Sequence, residues 1–328
     1  MSQLELVCPA GTPAALRAAV DNGADAVYLG FRDATNARNF PGLNFSRPEL
    51  QQSLAYAHQA DCKIFLAINT FPKAGEPEPW RQAIDDGATL GVDALIIADI
   101  GLLDYASRKH PDLRRHLSVQ AAASNPDAIS FYQEAFDVKR VVLPRVLSLA
   151  EIAALNKEIT VETEVFVFGG LCVMAEGRCA LSSYVTGQSP NTNGACSPAC
   201  AVRYQEDADG RMVSKLGGFT INAFEANEAA GYPTLCKGRF VAGGKTSYLF
   251  EDPVSLNAAS ILGELAAAGV TGLKIEGRQR GKAYIAEVVS SFRQAVDSMA
   301  DGAPVETDLT GITEGQRKTA GAYQKTWR

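Results

Sequence analysis

Short apolar runs of strand length alternate with helix-length amphipathic segments from Leu4 to Phe168, and few folds accept that pattern. The runs are Leu4–Cys8, Ala26–Gly30, Lys63–Ile68, Ala94–Ala98, Leu117–Gln120, Arg140–Leu143 and Glu164–Phe168. An eighth, Gly272–Glu276, follows an interruption of about 100 residues and precedes a helical stretch from Gly281 to Ala300. The helices carry start signals. Thr12-Pro13 pairs a polar cap with a first-turn Pro, Ser46 can cap the next helix, and Ser148 with Glu151 three residues on is a capping box. Eight strands, each followed by a helix, predict an α/β fold of the (β/α)8 TIM-barrel type, for which about 250 residues is typical. An open doubly wound sheet needs the same local pattern and is the structural alternative.

The interruption predicts a subdomain, because a structureless loop of that length is foreign to a compact domain. The expected organisation is residues 1–169 for strands one to seven and 170–253 for a cysteine-rich insertion between strands seven and eight. The last barrel units take 254–302, and 303–328 form a polar, peripheral C-terminal tail.

Composition narrows the function. Against 37 acidic residues the chain sets 31 basic ones, a net charge of −6, so no large phosphate-seeking surface and no nucleic-acid partner are expected. Met1–Cys8 lacks the basic and apolar regions of a secretory signal, and no stretch reaches the roughly 18 apolar residues of a membrane span. A cytoplasmic location without a transmembrane segment is the expectation. His58, His110 and His116 are the three histidines, and their helix-like or Pro-flanked charged surroundings disfavour a His-based hydrolase.

Cysteine is the more informative residue. Seven are present, five of them at 172, 179, 196, 200 and 236. An odd number of thiols argues against a disulfide framework. Cys8 and Cys62, each beside a strand, read as small core residues. The other five lie in Gly-, Ser- and Asn-rich sequence, and only Cys196 and Cys200 have the close spacing of a zinc knuckle. Irregular spacing among glycines suits an iron–sulfur cluster better, with zinc as the rival and one cysteine to spare.

Cys8-Pro9-Ala10-Gly11, Gly23-Ala24-Asp25-Ala26-Val27-Tyr28-Leu29-Gly30 and Asn36-Ala37-Arg38-Asn39-Phe40 resemble the opening of the collagenase-like peptidase family. Glu164–Cys172 and Leu273-Lys274-Ile275-Glu276-Gly277-Arg278 extend the resemblance to about residue 300. Its best-understood members modify RNA or ubiquinone precursors. Many carry a His where this chain has Phe168, which suits the quinone-pathway branch. The resemblance implies a hydroxylase of ubiquinone biosynthesis that works under anaerobic conditions with a [4Fe–4S] cluster. Its implied partners are a homologous, UbiV-like subunit in a heterodimer, a prenylated aromatic quinone precursor and a prephenate-like anionic oxygen donor, with room for a lipid-binding accessory protein. Carried over by position, the cluster ligands are Cys172, Cys179, Cys196 and Cys236, which makes Cys200 the spare. Hydroxylation of a tRNA or rRNA base is the alternative; a peptidase and a non-catalytic cluster-bearing scaffold rank lower.

Alternation along a strand puts Lys274 and Glu276 on one face, pointing into the barrel, where two charges are costly unless paired or functional. Lys274 is the candidate for a substrate carboxylate or developing oxyanion. Glu276, its pKa raised by burial, is the candidate proton carrier or organiser of Arg278, and Glu164 is a third inward group. A structural ion pair is the plainer reading of these charges. Arg145 and Arg38, past strand ends, could grip carboxylates, and Tyr28 could stack on a ring or fill the barrel mouth. Val241–Phe250 is a candidate lip for a prenyl chain.

Overall fold

In the computed structural model, residues 4–172, 179–226, 228, 230–300, 307–313 and 317–324 are described. Seven strands and six helices alternate first: β1 (Glu5–Pro9), α1 (Pro13–Asp21), β2 (Ala26–Leu29), α2 (Arg47–His58), β3 (Lys63–Ile68), α3 (Glu78–Leu90) and β4 (Ala94–Ile97). After these come α4 (Ile100–Lys109), β5 (Arg114–Leu117), α5 (Pro126–Phe136), β6 (Val138–Val142), α6 (Leu149–Leu155) and β7 (Glu162–Gly170). The helix starts obey their caps: Thr12 accepts from the amide of Ala15, and Ser46/Glu49 and Ser148/Glu151 both form complete capping boxes.

The insertion contains α7 (Leu181–Thr186), α8 (Pro190–Asn193) and an antiparallel meander of β8 (Val202–Glu206), β9 (Met212–Leu216) and β10 (Phe219–Phe224). A hairpin of β11 (Arg239–Ala242) and β12 (Lys245–Tyr248) follows, and Val185, Leu216 and Ile221 make a small core of their own. The chain returns through β13 (Ser255–Asn257), antiparallel to the end of β7, then α9 (Leu262–Ala267), β14 (Gly272–Ile275) and α10 (Lys282–Ala300).

Closure decides between the two expected architectures. β14 pairs in parallel with both β1 and β7, so eight parallel strands form a closed barrel and an open sheet is excluded. Two details differ from the sequence reading. The fifth strand is Arg114–Leu117, ending where the expected run Leu117–Gln120 begins, and Val119–Ala121 is a single 3-10 turn. Its polar residues hide it: buried Arg115 donates to the carbonyls of His110 and Phe136, at the ends of α4 and α5, and to those of Pro111 and Leu113 in the preceding loop. The tail is not peripheral where it is described. β15 (Lys318–Thr319) adds to β13, and Tyr323 is buried with its hydroxyl donating to the Phe166 carbonyl at 2.6 Å. Among the described residues no helix is long and apolar enough to cross a membrane.

The barrel interior has two halves. Val7, Ala26, Tyr28, Phe65, Ala67, Ala94 and Ile96, every second residue of β1–β4, form an apolar cluster separate from the core beneath the helices. β5–β7 and β14 instead contribute His116, Arg140, Glu164 and Lys274, all buried. His116 therefore lies on a barrel strand, edge-on to Phe65 at 4.7 Å, and burial among Arg140, Arg114 and Lys274 keeps it far below the usual histidine range. Arg140 bridges Glu5 at 2.5 Å, Glu162 at 2.6 Å and Glu164 at 3.2 Å. Removing one partner from a buried network strands the others, so Arg140→Met should lower stability by about 3–5 kcal/mol in equilibrium urea unfolding. Burial alone would raise Glu5 and Glu162, but Arg140, Lys63 and Arg114 together hold both below the ordinary carboxylate range. Their contribution is present above pH ~4.5 and is lost as pH falls through the depressed values, because the unfolded chain then binds more protons.

Candidate active site and cysteine cavity

At the C-terminal ends of the strands, where barrel active sites are built, lies a recess of about 40 Å³. Tyr28, Arg38, Arg145, Lys274, Glu276 and Arg278 line it, together with Asn69, Ser118 and Gln120. It adjoins a second cavity of about 850 Å³, and Arg38, Asn69, Gln120, Arg145 and Glu276 border both.

Three glycines explain how the loop after β14 reaches the recess. A Cβ on Gly11 would stand 1.9 Å from the Arg278 carbonyl oxygen, and one on Gly169 (φ +114°) 2.6 Å from that of Glu276. Gly277 in turn sits tightly against Pro9. The short motifs around Cys8–Gly11 and Phe168–Gly170 are thus the walls between which Glu276-Gly277-Arg278 passes. Gly11→Ala should force that backbone aside and cost about 1–3 kcal/mol, read as a lower Tm.

Inside the recess the cations are held in place. The Lys274 ammonium meets Glu164 at 2.5 Å and lies 3.8 Å from the centroid of the Tyr28 ring. Arg278 stands 5.4 Å from the same ring and donates to the Asn36 side chain at 3.2 Å. Tyr28 donates its hydroxyl to the Ile275 carbonyl at 2.9 Å; with its ring facing cations, it fills the mouth and orders them. Arg145 stacks on Phe166 at 3.6 Å, and Arg38 faces Glu276 at 3.5 Å. Among the described residues that line the recess, Arg38, Arg145, Lys274 and Arg278 are basic and Glu276 is acidic, so its wall is rich in cations.

Electrostatics sort these groups. Burial holds the Lys274 ammonium below its ordinary range, with Arg278 and Arg140 adding to the effect and Glu164 opposing it. Burial pushes Arg278 down to about 10. Burial alone would raise Glu276, but Arg38, Arg145, Arg280 and Lys237 overcome it and keep the carboxyl below its usual range. The expected elevation of Glu276 is therefore absent, and it is an ionised partner of Arg38, not a reserve of protons. Burial would also lower Arg38, yet Glu276 and the nearby Cys196 and Cys172 raise it, so it stays charged.

The larger cavity is bordered by Cys172, Cys179, Cys196 and Cys236. Cys200 is exposed and is not among its lining residues. One bond from a barrel loop and two within the insertion hold the wall: the Phe71 amide donates to the Asn191 carbonyl at 3.0 Å, the Asn191 side chain to that of Cys179 at 3.2 Å, and Tyr232 to that of Ser197 at 2.8 Å. Burial pushes the Cys236 thiol up to about 12 and raises Cys196, an effect that Arg38 opposes. Among the described residues no three His, Cys, Asp or Glu side chains already stand at metal-binding distance. Arg178, between two of these cysteines, lies outside the described residues.

Sequence reasoning missed the polar frame. Asn36 is fully buried, Asn69 accepts from the Ala37 amide at 2.9 Å and donates to Ser118 at 3.4 Å, and Gln120 borders both cavities. Asn36 lies within a motif that was already conspicuous, and the available signal was Gly30, whose Cβ would stand 2.5 Å from the Asn36 side chain.

Comparison with known proteins follows the same lines. The chain is 33% identical to the tRNA hydroxylation protein P of Escherichia coli, over 96% of this chain and 72% of that one. It is 31% identical to the 23S rRNA 5-hydroxycytidine C2501 synthase of the same organism, over 91% of this chain and 40% of that one. Among solved structures it resembles the U32 peptidase Mk0906, with a TM-score of 0.42 and 18% identity over 51% of this chain and 70% of that one. The family model described as peptidase family U32 matches residues 11–325, and the chain belongs to that family.

Proposed function

We propose that the chain is a hydroxylase subunit that works without O2, carrying a [4Fe–4S] cluster and acting on the ring of a prenylated ubiquinone precursor. The observation that carries this reading is the junction of two cavities: a cation-rich recess opens directly into a larger one bordered by four cysteines. The donor set fits a cluster. Cys172, Cys179, Cys196 and Cys236 would hold it, and because thiolates are the ligands, loading must release their protons and draw the loops in. When bound, the cluster supplies one-electron exchange at the cavity wall.

The chain's own residues do the rest. The recess is much the smaller of the two cavities, so a two-carboxylate donor of the prephenate kind would place one carboxylate head among Arg38, Arg145 and Lys274. Glu276 keeps Arg38 extended toward that head. The substrate ring would lie in the outer cavity, of about 850 Å³, where Phe40, Leu171, Leu181 and Tyr232 supply apolar wall. Lys274, beside Glu164, would hold a negative charge as it develops. A homologous UbiV-like partner and a lipid-binding accessory protein belong to the proposal through the family resemblance alone.

The names of the relatives favour a second reading, hydroxylation of a tRNA or rRNA base by the same site. Against it stand the net charge of −6 and the placement of the site's cations in a recess. A peptidase lacks support among the described residues: His58 and His110 pair with Asp93 and Asp85 on the outer face, and His116 is inside the barrel. Deleting the gene and growing cells without O2 separates the two readings. Loss of ubiquinone confined to anoxic growth supports the quinone reading. Normal ubiquinone with a missing hydroxyl in tRNA or 23S rRNA selects the RNA base.

A further inference from the structure

The segment 36–39 touches both cavities, and the side chain of Asn36 is used completely. Its Oδ1 accepts from the Arg278 guanidinium at 3.2 Å and from the Arg38 amide at 2.9 Å, while its Nδ2 donates to the carbonyls of Phe31 at 2.6 Å and Asp33 at 3.4 Å. A carboxamide has two donors and two acceptor sites, so no rotation can be made without breaking a bond. The backbone of the same residue meets the insertion. A Cβ on Gly194 (φ +74°) would stand 2.1 Å from the Asn36 carbonyl oxygen, and the Asn39 amide donates to the Gly194 carbonyl at 2.9 Å. Gly194 is two residues before Cys196. A shift of the Cys196 segment therefore presses on Asn36, and a shift of Asn36 moves the anchor of Arg278 and the start of Arg38.

We propose that Asn36 is a positioning residue that couples the two cavities, so that cluster loading and carboxylate binding in the recess strengthen each other. The inference rests on the cluster reading above. Drawing Cys196 toward a cluster settles Gly194 against Asn36 and fixes Arg278 and Arg38 at the recess; by reciprocity, an anion held there favours the loaded loop.

The test is calorimetric titration of malonate, a compact dicarboxylate, into the full-length protein with and without its cluster under anoxic conditions. The loaded wild-type protein should bind malonate about 5-fold tighter or more than the cluster-free form, and malonate should shift the paramagnetic resonance signal of the reduced cluster. In Asn36→Ala that ratio should fall to about one and the spectral shift vanish, with iron content retained. Asn36→Asp keeps one acceptor but turns a second oxygen toward the carbonyls of Phe31 and Asp33, so it too should lower the ratio, and it serves if the alanine variant does not fold. Arg278→Ala should remove the ratio too, and the Asn36→Ala/Arg278→Ala pair should lose nothing further. Equal malonate affinity in the two wild-type forms, no malonate binding by either, or an unchanged ratio in both Asn36 variants overturns the coupling. Wild-type protein that takes up no iron or sulfide overturns the cluster reading itself, and the coupling with it.

Discussion

Alanine in place of Cys172, Cys179, Cys196 or Cys236, one at a time, should reduce the iron and sulfide of anaerobically prepared protein to background, whereas Cys200→Ala should retain both. The four border one cavity, and Cys200 is exposed outside it. Spacing alone would have paired Cys196 with Cys200, so the contrast separates a cluster spanning the cavity from a knuckle on one loop. Arg38→Ala should keep its iron while losing about 10- to 100-fold in activity, as expected when a charge-assisted hydrogen bond worth about 1.5–3 kcal/mol to the donor's carboxylate is lost. Iron retained in the Cys172→Ala or Cys236→Ala variant, together with iron lost in Cys200→Ala, would reject this ligand set.

Lys274→Met should lower hydroxylation about 10²–10³-fold in folded, cluster-loaded protein, the scale set by losing one preorganised group that stabilises developing charge. The pH dependence supplies the sign. Lys274 is useful as an ammonium, and burial lowers its pKa, so carboxylate binding should decline as pH rises through a value below the usual lysine figure of about 10.4. The variant should lack that decline. A variant with unimpaired turnover would reduce Lys274 to a structural partner of Glu164.

The barrel was legible because period-two burial and helix caps are local signals. Strand β5 was misplaced for a physical reason: Arg115 is buried by satisfying helix-end carbonyls, which no apolar run announces. The described part of the tail was misread because Tyr323 and β15 gain their burial from strands that the barrel places next to them, far away in sequence. At the site, alternation and strand ends suffice to bring Lys274, Glu276, Glu164 and Arg145 to the recess or directly beneath it. What alternation cannot supply is pairing across 110 residues, as between Lys274 and Glu164. Nor can it supply the arrival of Arg38 from a loop, which turns Glu276 from an expected acid into an ionised anchor. Asn36, Asn69, Ser118 and Gln120 are polar residues outside the strands with no period to betray them, and of the four only Asn36 is met closely by glycines, Gly30 and Gly194.

The central claim is that the cavity beside the cationic recess carries an iron–sulfur cluster. The most direct measurement is metal and sulfide analysis of the wild-type protein purified without exposure to O2. The account predicts brown protein with about four iron and four sulfide per chain. Stoichiometric zinc with neither iron nor sulfide would contradict it.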